Sequence, residues 1–291
     1  WIEWYRDQLS LHAAPLHVGK LVDNHMWERL DSVILTSATM RTAPQGRQNL
    51  ANFDYIRARL QADEETVQEL SVGSPFNYKK NTLLYLCSDI PEPRQPGYQR
   101  MVEEAIVDIA TTYGGQTLVL FTSYKQLSET ARIIEPKLAE ENIRVLAQTQ
   151  KISRQQLTAQ FKADNARAVL LGTKSFWEGV DVPGPALSAV VLVKLPFDVP
   201  TDPVIGARSE TFNNSFMEYA LPESVLRFRQ GFGRLIRRKS DEGVVVVLDK
   251  RVLTKRYGEL FINALPQCVT LRKRTQRIPE ILKRWQNRDR S

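Results

Sequence analysis

The sequence is poorest in the residues that build metal sites and cross-links. Only two cysteines, Cys87 and Cys268, and three histidines, His12, His17 and His25, occur in 291 residues. The cysteines lie far apart with no second Cys or His at ligand spacing, which excludes a disulfide framework and a metal site and fits a reducing compartment. The histidines crowd near the start without a ligand pattern and read as ordinary side chains. No apolar run approaches the roughly 18 residues of a membrane span, and the opening Trp1-Ile-Glu-Trp-Tyr-Arg lacks the apolar centre of a signal peptide. Internal repeats and low-complexity stretches are absent. Also missing is any Gly-x-x-x-x-Gly-Lys-Ser/Thr stretch, or a later strand closing on Asp-Glu, so the chain has neither a triphosphate cradle nor magnesium ligands of its own. It begins at Trp1 rather than Met and is expected to be a piece of a longer protein.

What is present is an ordinary globular composition, 42% hydrophobic and 25% charged, long enough for one large or two ordinary domains. Forty Lys and Arg against 33 Asp and Glu leave a net charge of +7, which favours a polyanionic partner. A helical piece around residues 22–30 precedes Ser32-Val-Ile-Leu-Thr-Ser37, which reads as a short buried strand with Thr36-Ser-Ala-Thr39 at its carboxyl end. After a helix at 49–60, Gly73-Ser-Pro75 breaks the chain. Strands are then expected at 82–87, 117–121, 145–148, 168–171, 189–194 and 244–248, and helices at 99–112, 125–139, 153–163, 203–219 and 222–238. That alternation predicts an α/β fold, an open and mainly parallel sheet with helices on both faces. The basic tail after Leu271 ends in a last helix and is either a phosphate-contacting end or a solvated terminus.

One stretch gathers polar residues at helical spacing. Gln230, Gly233, Arg234 and Arg237 fall at i, i+3, i+4 and i+7, so on a helix they share one face while Phe228, Phe232 and Leu235 point away. Two arginines, a glutamine and a close-approach glycine suit an anionic ligand with planar oxygens, of which a triphosphate is the commonest. The bland alternative is a solvated basic face. Because the apolar run from Gly243 to Asp249 reads as a buried parallel strand, the arginines are expected on a rigid scaffold, as arginine fingers.

Three loops at strand carboxyl ends carry the remaining chemistry. In Phe121-Thr-Ser-Tyr124, Ser123 either caps the next helix or joins its amino terminus in holding a phosphate. Gly172-Thr-Lys-Ser-Phe-Trp-Glu-Gly-Val-Asp-Val-Pro-Gly184 concentrates hydroxyls, a lysine, two aromatics, two carboxylates and three glycines. Thr173, Lys174 and Ser175 suit a nucleic-acid backbone, Gly179 permits close approach, and Asp181 can accept from a ribose hydroxyl. Phe176 and Trp177 read first as packing and second as base-stacking groups. Leu195-Pro-Phe-Asp-Val-Pro-Thr-Asp-Pro203 is a rigid turn in which Asp202 caps the following helix.

In order, Thr36-Ser-Ala-Thr39, the strand entering Phe121 to Tyr124, Gly172 to Gly184, and Gln230 to Arg237 resemble motifs III, IV, V and VI of superfamily 2 helicases. The wording Ser175-Phe-Trp-Glu-Gly-Val-Asp181, with Leu195-Pro-Phe197, is most similar to the DinG branch of the DinG/XPD helicases, and the resemblance spans nearly the whole chain. It implies a second RecA-like motor domain at 46–275, preceded at 1–45 by the end of the first motor domain or the connection out of it, and followed at 276–291 by a terminal helix or tail. Thr36, Ser37 and Thr39 would then couple the two domains. ATP with Mg2+ would sit in the cleft between them, the first domain supplying the P-loop and magnesium ligands. Arg234 and Arg237 would contact the γ-phosphate, Gln230 would help position it, and Gly233, Glu178, Gly179 and Asp181 would line the nucleotide. Ser123, Thr173, Lys174 and Ser175 would face the backbone of single-stranded DNA.

The same resemblance implies 5′-to-3′ translocation, a place in DNA repair, and a cytoplasmic, nucleoid-associated monomer without membrane contact. Any iron–sulfur cluster would belong to the first domain. On this reading the chain alone is inactive. The competing expectation is a RecA-like clamp or scaffold that binds nucleic acid without catalysis, a role with no need for Gln230, Arg234 and Arg237.

Overall fold

A computed structural model of the chain describes residues 1–5, 8–42, 53–149, 152–163, 167–177 and 186–288. In chain order the elements begin with β1 (Ile2–Tyr5), β2 (Gln8–Leu11), α1 (Gly19–Val22), α2 (Asp54–Leu60), α3 (Tyr78–Asn81) and β3 (Thr82–Cys87). There follow α4 (Tyr98–Tyr113), β4 (Thr117–Leu120), α5 (Tyr124–Glu140), β5 (Arg144–Ala147), α6 (Arg154–Lys162), β6 (Ala168–Gly172), α7 (Lys174–Trp177) and β7 (Ala189–Leu192). The last are α8 (Pro203–Ser209), α9 (Leu221–Phe232), β8 (Gly243–Val247), α10 (Arg251–Thr254), α11 (Gly258–Asn263), β9 (Val269–Lys273) and α12 (Ile278–Asn287). They belong to two compact units, one made of residues 1–72 and 197–226, the other of 73–196 and 227–291.

The larger unit holds a seven-stranded sheet in the order β5-β6-β4-β7-β8-β3-β9, and every neighbouring pair is parallel. This is the expected doubly wound α/β sheet. Its five inner strands are buried along their whole length, because helices cover both faces and leave no solvent side for polar residues. Alternate residues serve opposite faces: Tyr85, Val119, Val191 and Val246 pack with Ile106 of α4, Ile134 of α5, and Ile278 and Leu282 of α12. On α4 the buried positions Val102, Ala105, Ile106, Ile109 and Tyr113 recur every three or four residues, the spacing of one helix face. α6 starts at a reciprocal cap in which the Ser153 hydroxyl accepts from the N–H of Gln156 while the Gln156 side chain accepts from the N–H of Ser153. At the turn into β4, Gly115 has φ +99°, and a Cβ there would stand 2.4 Å from the Ala168 nitrogen, so only glycine fits.

β9 was not expected from sequence. It pairs with β3 from Leu83↔Val269 to Cys87↔Lys273, yet all of its residues except Leu271 are exposed. Charged residues on an edge strand suppress the apolar signal by which strands are read, and they also discourage pairing with other chains. Cys87 and Cys268 are free thiols, and burial pushes the Cys87 thiol well above its ordinary range, which leaves it unreactive.

All strand carboxyl ends share one edge of the sheet. The chain turns outward in opposite directions after β4 and β7, and loops at such a reversal are where open α/β sheets place ligands. Asp249, just past β8, is fully buried and staples this edge. Its carboxylate accepts from the N–H of Leu195 at 2.9 Å, from the N–H of Arg251 at 3.0 Å and from Arg251 Nη2 at 2.6 Å. Asp249→Ala would strand these donors, one of them wholly buried, and is expected to cost about 3 kcal/mol. Urea unfolding checks this, and a midpoint equal to that of the parent would refute it.

The smaller unit is built differently. β1 and β2 form an antiparallel hairpin, with Trp1 stacked on His12 at 4.9 Å. The expected helix at 22–30 occurs as α1 continued by a π-helical turn, Asp23–Trp27. Trp27 Nε1 donates to the Leu60 carbonyl, the Tyr55 hydroxyl donates to Glu223 at 2.6 Å, and Phe212 stacks on Tyr219 at 5.4 Å. Residues 32–37 correct an expectation: they form no strand, and Ile34 is 87% and Leu35 44% exposed. An apolar run becomes a buried strand only between paired neighbours, and no described strand of the chain pairs with it. Part of the helix expected at 49–60 lies outside the described residues; the described part is α2.

Candidate functional site

The stretch from Gln230 to Arg238 departs from the single helix expected at 222–238. α9 stops at Phe232, so only Gln230 of the four aligned polar residues lies on it. Beyond it, the N–H of Gly233 still reaches the Arg229 carbonyl at 2.9 Å, but the N–H of Arg234 turns to Gly231 at 3.2 Å, three residues back. The N–H groups of Arg237 and Arg238 leave helical bonding altogether. Both donate to Oδ2 of Asp241, at 2.9 and 2.7 Å, and the Asp241 N–H returns to the Arg238 carbonyl at 3.1 Å. Asp241 is only 6% exposed. A buried carboxylate accepting two backbone N–H groups is a strong local acceptor, and it diverts this segment from continuing the helix. Arg237 is therefore presented by a carboxylate-clamped bend rather than by a helical face.

Trp177 is the hub on which the other stretches converge. Its indole Nε1 donates to the Phe121 carbonyl at 3.0 Å, and its own carbonyl accepts from Arg234 Nε at 2.9 Å. A Cβ on Gly231 would stand 2.8 Å from the Trp177 ring and 3.1 Å from Leu192, so this glycine is what allows α9 to approach α7. Gly233, the glycine singled out from sequence, has no comparable crowding, since a Cβ there would meet only backbone oxygens at 3.4 and 3.5 Å. Phe176 and Trp177 are 0% and 2% exposed, which makes both packing residues.

The loop at the end of β6 is held from within by Gln148. Its Oε1 accepts from the N–H and the hydroxyl of Thr173, at 2.8 and 2.9 Å, and its Nε2 donates to the Ser175 hydroxyl at 3.1 Å. Thr173 is buried, Ser175 is half-buried and Lys174 is exposed. Ser123 caps α5, its hydroxyl accepting from the N–H of Gln126 at 3.3 Å. Glu178, Gly179 and Asp181 lie outside the described residues. In the smaller unit, the Ser37 hydroxyl accepts from the N–H of Thr39 at 3.1 Å and lies 3.3 Å from the Thr39 hydroxyl, a local turn. Among the described residues, no group of three or more His, Cys, Asp or Glu side chains gathers to hold a metal ion, and no helix is long and apolar enough to cross a membrane.

Sequence reasoning missed Gln148, Gly231 and Asp241. Asp241 carried the clearest signal, an acidic residue four positions beyond an arginine and two before a strand, where a carboxylate bonds nearby backbone more readily than it joins a helix. Gln148 follows the short strand β5 and has no such mark.

Comparisons with known proteins give the family of the chain. The family model described as "Helicase C-terminal domain" matches residues 106–268. Over 278 residues the chain is 34% identical to the "3'-5' exonuclease DinG" of Bacillus subtilis, covering 91% of this chain and 29% of that protein. It is 37% identical over 264 residues to the "ATP-dependent helicase DinG" of Mycobacterium tuberculosis, covering 88% and 38%. It is 32% identical over 292 residues to the "ATP-dependent DNA helicase YoaA" of Haemophilus influenzae, covering 99% and 43%. The chain thus spans less than half the length of these relatives. Among solved structures, one named "XPD_Helicase" superposes with a TM-score of 0.59 at 20% identity, covering 87% of this chain and 44% of that one, a likeness of fold.

Proposed function

The chain belongs to the helicase C-terminal domain family, and from that premise we propose that it is the second motor domain of an ATP-dependent 5′-to-3′ DNA helicase of the DinG type. The observation that carries the proposal is the junction at Trp177, where Arg234 bonds the Trp177 carbonyl beside an Arg237 whose backbone is fixed by Asp241. A guanidinium whose backbone is fixed suits a charge that develops at one place for one moment, whereas a clamp needs only average positive charge. In this reading Arg234 and Arg237 neutralise the outer end of a nucleoside triphosphate, and Gln230 orients it. Residues 1–45 belong to the first motor domain or the connection out of it, where Thr36, Ser37 and Thr39 couple the two domains.

The residues present fit one side of ATP with Mg2+. They supply cations for the phosphate oxygens but no cradle, so the P-loop and magnesium ligands come from a first RecA-like domain of the longer protein. Bound there, the ATP supplies the transferable phosphoryl group. The task of this chain is to close on it and open again, and its altered grip on the strand becomes translocation. Lys174 meets the single-stranded DNA backbone together with Ser123, while Thr173 and Ser175 shape the loop through Gln148.

Purified as 291 residues, the chain is expected to release phosphate at background rates with or without single-stranded DNA, because its arginines act only on a phosphoryl group held by another domain. Robust turnover that disappears in an Arg237→Ala control would mean a complete site lies within this chain and would overturn the proposal. Binding to single-stranded DNA should weaken steeply with salt and show little sequence preference. Lys174→Ala should lower the slope of log affinity against log salt by about 0.7. Fluorescence anisotropy measures both, and an unchanged slope removes Lys174 from the interface.

A further inference from the structure

The stretch between α9 and β8, which carries Arg237 and Asp241, is also held from outside, by contacts that the roles above leave unused. Glu242, next after Asp241, pairs with Arg288 just past α12, its Oε2 lying 2.6 Å from Nη2. That guanidinium is fixed before it meets Glu242. Its Nη1 donates to the Trp285 carbonyl at 2.6 Å, its Nη2 also donates to the Lys80 carbonyl at 3.2 Å, and its central carbon sits 3.8 Å from the centre of the Trp285 ring. The Arg288 side chain is 21% exposed, against 52% for Glu242. Most exposed ion pairs contribute little because two long side chains must be ordered to make them, and here one is ordered already. A second tie meets the same stretch at Lys239, whose carbonyl accepts from Asn81 Nδ2 at 3.1 Å.

Neither element joined by the ion pair needs it. α12 is anchored by Ile278 and Leu282, both wholly buried, and β8 by parallel neighbours on both sides. What the pair holds is the bend between them, where the N–H groups of Arg237 and Arg238 both hang on the Asp241 carboxylate. Because Glu242 is joined to Asp241 through the backbone, Arg288 fixes the point from which that carboxylate reaches back to Arg237. We propose that Arg288 and Glu242 are positioning residues for Arg237, a reading that rests on the function proposed above. They touch neither nucleotide nor DNA and act through Asp241. The planar fork of an already ordered arginine dictates where the carboxylate must lie, so the tie is stiff in direction as well as in length. It keeps the outer side of the bend in place while the cleft opens and closes, and it makes the carboxyl end of α12 part of the machinery that aims the finger.

The test is steady-state ATPase of the longer protein with saturating single-stranded DNA, for Arg288→Ala, Glu242→Ala and the double variant, each made in the parent and in Arg237→Ala. In the parent either single change should lower kcat by about tenfold, and the double change by no more, with KM for ATP within about twofold. The loss is smaller than that of Asp241→Ala because Asp241 and Asn81 still hold the bend. Glu242→Gln, which keeps the shape of the side chain and an acceptor oxygen, should lose less. On the residual rate of Arg237→Ala the same changes should have no effect, since no guanidinium is left to aim, whereas a general loss of stability would lower that rate too. An unchanged kcat in Arg288→Ala, additive losses in the double variant, or an equal loss in the Arg237→Ala background would each overturn the proposal. Failure here is separable from failure of the motor reading. If Arg237→Ala lowers turnover by orders of magnitude while Arg288→Ala leaves kcat alone, only the tie falls; if Arg237→Ala turns over like the parent, the finger itself falls.

Discussion

Arg237→Ala in the longer protein is expected to leave ATP binding nearly intact and to lower DNA-stimulated turnover by about 10³-fold or more. The size of the effect follows from timing. A guanidinium facing the transferring phosphoryl group stabilises charge that grows only in the transition state, so its loss appears in kcat rather than in KM. Replacement by lysine restores the charge without the planar fork and should recover only a small part of the rate. Arg234→Ala should be comparably severe, and it also removes the bond to the Trp177 carbonyl. Turnover within about threefold of the parent after Arg237→Ala would refute the finger, since such groups are worth orders of magnitude.

Asp241→Ala is expected to reduce kcat by about 10²-fold although Arg237 is still present. Its Oδ2 accepts the N–H groups of both Arg237 and Arg238, so removing it frees the bend that aims the guanidinium and leaves two backbone donors unpaired. Misplacement by about 1 Å is enough for a loss of that size. Asp241→Asn keeps an acceptor oxygen and should recover much of the activity, which a general loss of stability would not predict. Kinetics on both variants, with urea midpoints alongside, separates aim from fold. A folded Asp241→Ala protein turning over like the parent would show that the bend holds its shape unaided.

Much of the larger unit was legible because its strands are buried on both faces and therefore read as unbroken apolar runs. β3 occurs where Thr82 to Cys87 predicted it, and α4 and α5 match their expected spans to within a residue or so. The sequence misled where a tertiary partner decides the outcome. Residues 32–37 have a strand's composition without strand neighbours, and the edge strand β9 has strand neighbours without a strand's composition. At the site, periodicity put Gln230, Arg234 and Arg237 on one helix, whereas α9 ends at Phe232, because a 3.6-residue repeat cannot register a carboxylate at Asp241 that captures N–H groups from outside it. Gly231 shows the same limit. Its value lies in the ring of Trp177, more than fifty residues away, and no local pattern signals that contact.

The place of β3 in the sheet also governs how the chain comes together during synthesis. This early strand is flanked on both sides by late ones, β8 and β9, so neither of its edges can be covered until most of the larger unit has been made. Leu83 precedes its partner Val244 by about 160 residues, an interval of roughly 10–30 s at ordinary rates of translation. Throughout it, Thr-Leu-Leu-Tyr-Leu-Cys, every residue of which the finished sheet buries, is a mostly apolar strand with two open edges, a template for pairing with other nascent chains. Production of this protein should therefore depend on how fast the stretch from β8 to β9 follows, and a chain cut short before β8 should aggregate rather than fold.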